Sequence, residues 1–128
     1  MIEYTQFTKL DAEYVLGRVK FFLEEDIPDG DKTTLGTVSP DEKVTAEIQA
    51  VESLVFSGKE VILHCFDDDS AVHIHVKDGD ELMPGDVIGQ VIGKAASILS
   101  RERVMLNLIQ RLCGIATQAK VYAELARP

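Results

Sequence analysis

The chain of 128 residues contains no apolar run near the ~20 residues needed to cross a bilayer. It also has no basic segment leading into an apolar stretch near residue 1, so nothing points to export. Cysteine is scarce: Cys65 and Cys113 stand apart, each within apolar surroundings, as reduced and buried thiols of a cytoplasmic protein would. Basic residues are few, 13 against 22 acidic ones, for a formal net charge of −9. Such a balance repels phosphate backbones and anionic lipid, so neither nucleic acid nor membrane is an expected partner. Absent too are a Gly-x-Gly-x-x-Gly turn, a phosphate loop, a serine elbow and a His-Glu-x-x-His helix. With no nucleophile beside a base and no paired acid and base, no catalytic residue is expected in this chain.

What is present fits one globular domain, with 45% hydrophobic and 27% charged residues. Thr8 and Asp11 resemble a capping box, and Ala12, Val15, Leu16, Val19, Phe22 and Leu23 follow at helical spacing. Pro28 and Gly30 end that helix within an acidic stretch, Glu24 to Asp31. Acids there oppose the helix macrodipole, so their placement asks for another reason. Val44, Ala46, Ile48 and Ala50 alternate as a half-buried strand does, and Gly58 to about Phe66 reads as a second helix burying Val61, Ile62 and Cys65. Val72, Ile74 and Val76 alternate again, followed by turns at Asp78-Gly79-Asp80 and Pro84-Gly85-Asp86 and an apolar run from Val87 to Ile92. The pattern from Ala95 is helical to Cys113, and a further helical stretch follows Gly114 as far as Leu125. This order predicts an α+β fold: a small twisted β-barrel or sandwich layer, α/β-hammerhead-like, packed with helices.

Along the helix around Arg103, the residues Ile98, Leu99, Met105, Leu106, Ile109, Leu112 and Cys113 fall on one arc, the expected core face. Arg103, Asn107 and Gln110 form a polar ridge along its edge. Guanidinium and amide donors in that row suit a carboxylate or a phosphate; the plainer reading is a solvated face. Glu102 projects close to the middle of the arc and is expected to be a buried structural anchor, paired or bonded to backbone donors. Glu25, Asp26, Asp29 and Asp31 could chelate a hard cation, but their spacing is not that of an EF-hand, and turn and capping roles are favoured. His73 and His75 on one strand face, with His64 and Cys65, match no zinc spacing, so no metal site is expected. The residues alone support a soluble α+β domain with one anion-binding ridge.

The chain resembles the quinolinate phosphoribosyltransferase family, also called nicotinate-nucleotide pyrophosphorylase. The resemblance is carried by Glu25-Asp26-Ile27-Pro28-Asp29-Gly30-Asp31-Lys32-Thr33-Thr34, by Asp78-Gly79-Asp80, by Glu102-Arg103-Val104-Met105-Leu106-Asn107 and by Gly114-Ile115-Ala116-Thr117. Any one of these motifs is unspecific; four in the family's order, over nearly the whole chain, are specific. Cys113 departs from the usual serine and Lys32 from an apolar residue, and Leu54 to Gly58 follows the family pattern only loosely.

The resemblance implies an N-terminal α/β domain over residues 1–113, with 114–128 as the helical start of a connection into a catalytic α/β barrel that lies beyond this chain. It implies an enzyme of NAD biosynthesis, a pentosyltransferase that converts quinolinate and phosphoribosyl pyrophosphate to nicotinate mononucleotide, pyrophosphate and carbon dioxide. Magnesium would be held mainly by the barrel, and the present chain alone would be inactive. In the family's dimers this domain packs on the partner's barrel, and the arginine matching Arg103 reaches quinolinate across that interface; Asn107 and Gln110 would be secondary contacts. A homo-oligomer is therefore expected, and an apolar patch around Ile115, Val121, Tyr122 and Leu125 should be exposed without its partner. Two alternatives remain. One is a related phosphoribosyltransferase-fold protein, a nicotinate phosphoribosyltransferase or a molybdenum-transport-associated homologue. The other is a biotinyl- or lipoyl-like carrier with Lys77 as the attachment point.

Overall fold

The computed structural model describes residues 9–27 and 36–128, together with Glu3, Thr5 and Phe7. Thr8 and the stretch Pro28 to Thr34, on which one capping expectation and part of the acidic-loop reading fall, lie outside the described residues. Helix α1 spans Ala12–Asp26. Asp11 is the N-cap: its carboxylate accepts from the Tyr14 backbone N–H at 2.8 Å. Strands β1 (Lys43–Gln49) and β2 (Leu54–Val55) precede the short helix α2 (Lys59–Cys65). Strands β3 (Ala71–Ile74), β4 (Glu81–Leu82) and β5 (Val87–Lys94) then lead into the long helix α3 (Ala95–Leu125).

The α+β expectation holds, and the strands form two open antiparallel sheets, β1-β5-β3 and β2-β4, with no closed barrel among the described residues. Pleating sends alternate residues to opposite faces. Ala46, Val91 and Val72 thus align on the core side, whereas Glu47, Gln90 and His73 form the neighbouring row on the other. The core unites Val15 and Val19 of α1 with Phe56, Val61, Ile62, Cys65, Val91, Ile98, Met105, Ile109 and Cys113. Gly58, the N-cap of α2, has φ +116°, and a Cβ there would lie 2.5 Å from Ile109 Cδ1, so side chains of α3 pack directly on its backbone.

Helix α3 runs through Gly114 without a break, which corrects the expectation of two separate helical stretches. Gly114 faces open space and costs the helix about 1 kcal/mol relative to alanine. That cost is met locally by packing on both sides: Cys113 is buried, and Thr117 Oγ1 donates to the Cys113 carbonyl at 2.7 Å while accepting from the Val55 N–H at 2.9 Å. Beyond Thr117 the helix leaves the core. Ile115, Val121, Tyr122 and Leu125 are all exposed, as the sequence led us to expect.

Candidate functional site: the Arg103 ridge

The buried face of α3 is set by Ile98, Val104, Met105, Ile109 and Cys113. This face is turned from the arc expected from periodicity: Val104 is buried, whereas Leu99 is 45% exposed. Glu102 is correspondingly exposed, not the buried anchor expected. It lies on the rim of an open apolar groove of about 490 Å³ between β1 and α3, lined also by Val44, Ala46, Leu99, Met105 and Leu106. With water at hand its carboxylate needs no internal partner, and it makes no ion pair with Arg103.

The ridge expected from spacing is present in the structure. Arg103, Asn107 and Gln110 are exposed and line one shallow hollow of about 250 Å³, together with Leu99, Glu102 and Leu106. Arg103 is 70% exposed in its side chain, and its Nε and Nη2 donate to a single oxygen, Asp26 Oδ2, at 3.2 and 3.0 Å. This partner was not foreseen from the sequence, although the unfavourable position of an acid in the last turn of α1 was the available sign. Asn107 also borders a second hollow of about 390 Å³, with Phe22, Glu25, Asp26, Val104 and Leu108. The guanidinium and the two amides are thus exposed residues of one hollow, a set of groups that can grip a planar oxyanion but supplies no nucleophile or proton relay.

Other candidates are drawn into the framework. Asp78 Oδ1 accepts from the backbone N–H groups of Gly58 and Lys59 at 2.8 and 3.0 Å, capping α2. Lys77 is exposed but its N–H donates to Asp80 Oδ2 at 3.0 Å, within a turn that Asp78 fastens to α2, so the site lacks the free hairpin tip a carrier lysine requires. His64 lies 3.3 Å from Glu60, one turn back on the same helix, while His73 and His75 are exposed. Among the described residues no group of three or more His, Cys, Asp or Glu could hold a metal ion, so these residues do not fit a magnesium site. No described helix is long and apolar enough to cross a membrane.

Asp67, after α2, accepts from Ser97 Oγ and, at 2.8 Å, from Ser70 Oγ. Burial raises its pKa, yet the serine hydroxyls and the Arg101 charge outweigh this and hold the carboxyl below its usual range. Burial pushes the Cys65 thiol up to about 12 and raises Cys113 as well, which makes both poor nucleophiles. The Cys113 Sγ sits between the Ser57 N–H (3.4 Å) and the Ser57 carbonyl (3.5 Å), so it tethers α3 to the loop before α2.

A model of the family described as "Quinolinate phosphoribosyl transferase, N-terminal domain" matches residues 31–113. The chain belongs to this family. A probable nicotinate-nucleotide pyrophosphorylase (carboxylating) of Bacillus subtilis is 45% identical over 103 residues, covering 78% of this chain and 35% of its own length. A quinolinate phosphoribosyltransferase (decarboxylating) of Nicotiana tabacum is 37% identical over 116 residues, covering 88% and 33%. The chain therefore spans about a third of the length of these curated relatives. Among solved structures, NadC of Streptococcus pyogenes superposes with a TM-score of 0.83 at 31% identity, over 90% of this chain and 43% of that one. The nicotinate-nucleotide pyrophosphorylase of Francisella tularensis gives 0.83 at 28% identity, over 90% and 41%. Membership of the quinolinate phosphoribosyltransferase family thus rests on sequence and on architecture together, and it settles the choice against a carrier module.

Proposed function

We propose that the chain forms the N-terminal, substrate-binding and dimerisation portion of an enzyme that converts quinolinate and phosphoribosyl pyrophosphate to nicotinate mononucleotide, pyrophosphate and carbon dioxide. The observation that carries this reading is the exposed guanidinium of Arg103, set in an open hollow with Asn107 and Gln110 on an enzyme-family domain. An arginine fork matches the two oxygens of a carboxylate, and quinolinate offers two adjacent carboxylates. Arg103 would hold and orient one of them against a barrel supplied by another subunit, with Asn107 and Gln110 as further donors. Residues 114–128 would begin the connection toward a barrel of the chain's own. Exposed Ile115, Val121, Tyr122 and Leu125 supply apolar surface for subunit packing in a homo-oligomer.

Transfer of a phosphoribosyl group passes through a cationic, oxocarbenium-like state with a departing pyrophosphate, which calls for several placed charges. Magnesium, when bound, would neutralise the pyrophosphate, and the described residues of this chain do not form its site. What the chain contributes is orientation of the acceptor. The test is a chimera in which residues 1–128 replace the matching part of the Bacillus subtilis relative. The chimera is expected to form nicotinate mononucleotide, and the 128-residue chain alone to form none. Arg103→Ala in the chimera should raise the KM for quinolinate at least about thirtyfold, the usual cost of removing one partner of a charge-assisted pair. An unchanged quinolinate KM would remove Arg103 from the site.

A further inference from the structure

We infer that Asp26 is a positioning residue for Arg103: it holds the side edge of the guanidinium and leaves the end fork free for the ligand carboxylate. The inference rests on the reading of Arg103 given above. It starts from an apparent fault in the sequence, an aspartate in the last turn of α1, where the partial negative charge of the helix end disfavours it. The structure supplies the compensation, since Asp26 Oδ2 accepts from both Nε and Nη2 of Arg103, 77 residues further along the chain.

Geometry decides what such a pair does. Nε–H and the adjoining Nη2–H form one edge of the guanidinium, and both are turned to Asp26. The opposite fork, made of Nη1 and the second Nη2 hydrogen, has no bond to any described residue, and the side chain as a whole is 70% exposed. A guanidinium carries five donors, so engaging one edge does not consume the other. Both residues sit on helices that contribute to the core. Asp26 closes a helix fixed by buried Val15 and Val19, and the Ile27 N–H donates back to the Leu23 carbonyl at 2.9 Å. Arg103 precedes buried Val104 on α3.

A long, exposed arginine would otherwise wander among rotamers and lose that freedom when ligand binds. Glu102, exposed on the rim of the same hollow, would be the competing partner for an untethered guanidinium. Asp26 thus arrests the side chain before the ligand arrives and selects for a planar oxyanion that meets the remaining fork end-on.

The experiment uses the chimera and reads quinolinate KM and kcat, the KM for phosphoribosyl pyrophosphate, and quinolinate Kd by calorimetry, which needs no turnover. Asp26→Ala is expected to raise quinolinate KM and Kd about three- to tenfold, with kcat and the other KM within about twofold, the range for losing the preorganisation of one side chain. Asp26→Asn, which keeps an acceptor oxygen at the same reach, should fall between Asp26→Ala and the parent. In an Arg103→Ala background, Asp26→Ala should add nothing, because its effect passes through the guanidinium. If Asp26→Ala leaves quinolinate affinity unchanged or tightens it while Arg103→Ala weakens it, Asp26 has no positioning role and the reading of Arg103 stands. An additive effect in the double variant overturns the inference as well. If Arg103→Ala leaves affinity unchanged, the reading of Arg103 is what fails, and the inference falls with it.

Discussion

Asp78 caps a helix that starts nineteen residues before it: one carboxylate oxygen accepts from Gly58 N–H at 2.8 Å and from Lys59 N–H at 3.0 Å. Helix α2 has no cap of its own, because its N-cap is a glycine. The first of the two turns is thereby bound to the helical layer, and Gly79 N–H adds a bond to the Phe56 carbonyl at 2.8 Å. Asp78→Ala should destabilise the domain by about 1–2 kcal/mol, the range for losing an N-cap, and Asp78→Asn by less. Urea unfolding of the three proteins checks the order.

Gly58 is constrained twice over, by its left-handed backbone (φ +116°) and by Ile109 and Leu112, whose Cδ1 atoms would lie 2.5 and 3.1 Å from an added Cβ. Gly58→Ala is expected to cost about 2–4 kcal/mol, from backbone strain of about 1–2 kcal/mol and a similar amount for overpacking. The same unfolding measurement reads it, with Gly114→Ala as the contrast. Gly114 has open space around it and lies within α3, so that change should stabilise by a few tenths to about 1 kcal/mol.

The Cys113 thiol bridges both polar groups of the Ser57 backbone. Cys113→Ser should keep that bridge and change stability by less than about 1 kcal/mol. Cys113→Val, similar in volume but without a donor or acceptor, leaves a part-buried N–H unpaired and should cost about 1–3 kcal/mol. Equal effects of the two changes would show that the bridge does not matter.

The thiols also give a pH signature. Cys65 is displaced from 9.0 to about 12 by burial, so its folded value exceeds its unfolded one. The associated stability is complete below pH 9.0 and is lost as pH rises toward about 12. Native protein at pH 8 should accordingly leave both cysteines unreacted with Ellman's reagent, and two thiols should appear in urea. Asp67 works in the other direction. Its pKa is lowered from 3.8, so its contribution is present above that value and disappears as the pH falls below it. Asp67→Asn should flatten the acid limb of the stability profile without changing the alkaline one.

Much of the fold could be read from short-range pattern. Alternation at Val44, Ala46 and Ile48 placed β1, and Val61, Ile62 and Cys65 gave the buried side of α2, because one neighbouring layer decides which face is inward in each case. Helix α3 was harder. Leu99 and Glu102 were assigned to the core from the mean direction of the apolar arc, but a helix is buried only where other elements lie against it, and both residues fall beyond the edge of that cover. The Arg103, Asn107 and Gln110 ridge was legible because it depends on helical spacing alone. Its partner Asp26 was not, since nothing in a linear sequence brings the end of α1 beside the third turn of α3. The acids at that helix end were recognised as misplaced, but turn and capping roles were favoured for them over a distant partner.

The continuity of α3 across Gly114 makes one lever of what looked like two pieces. From Arg103 to Leu125 the helix advances 22 residues, or ~33 Å at ~1.5 Å each. A surface that clasps the greasy far tip therefore dictates, through an unjointed rod, both how far away and at which rotation about the axis the guanidinium is delivered. Distance and rotation between the two ends are a single mechanical variable, so inserting or deleting even one residue between them would turn Arg103 by ~100° about the axis relative to the tip.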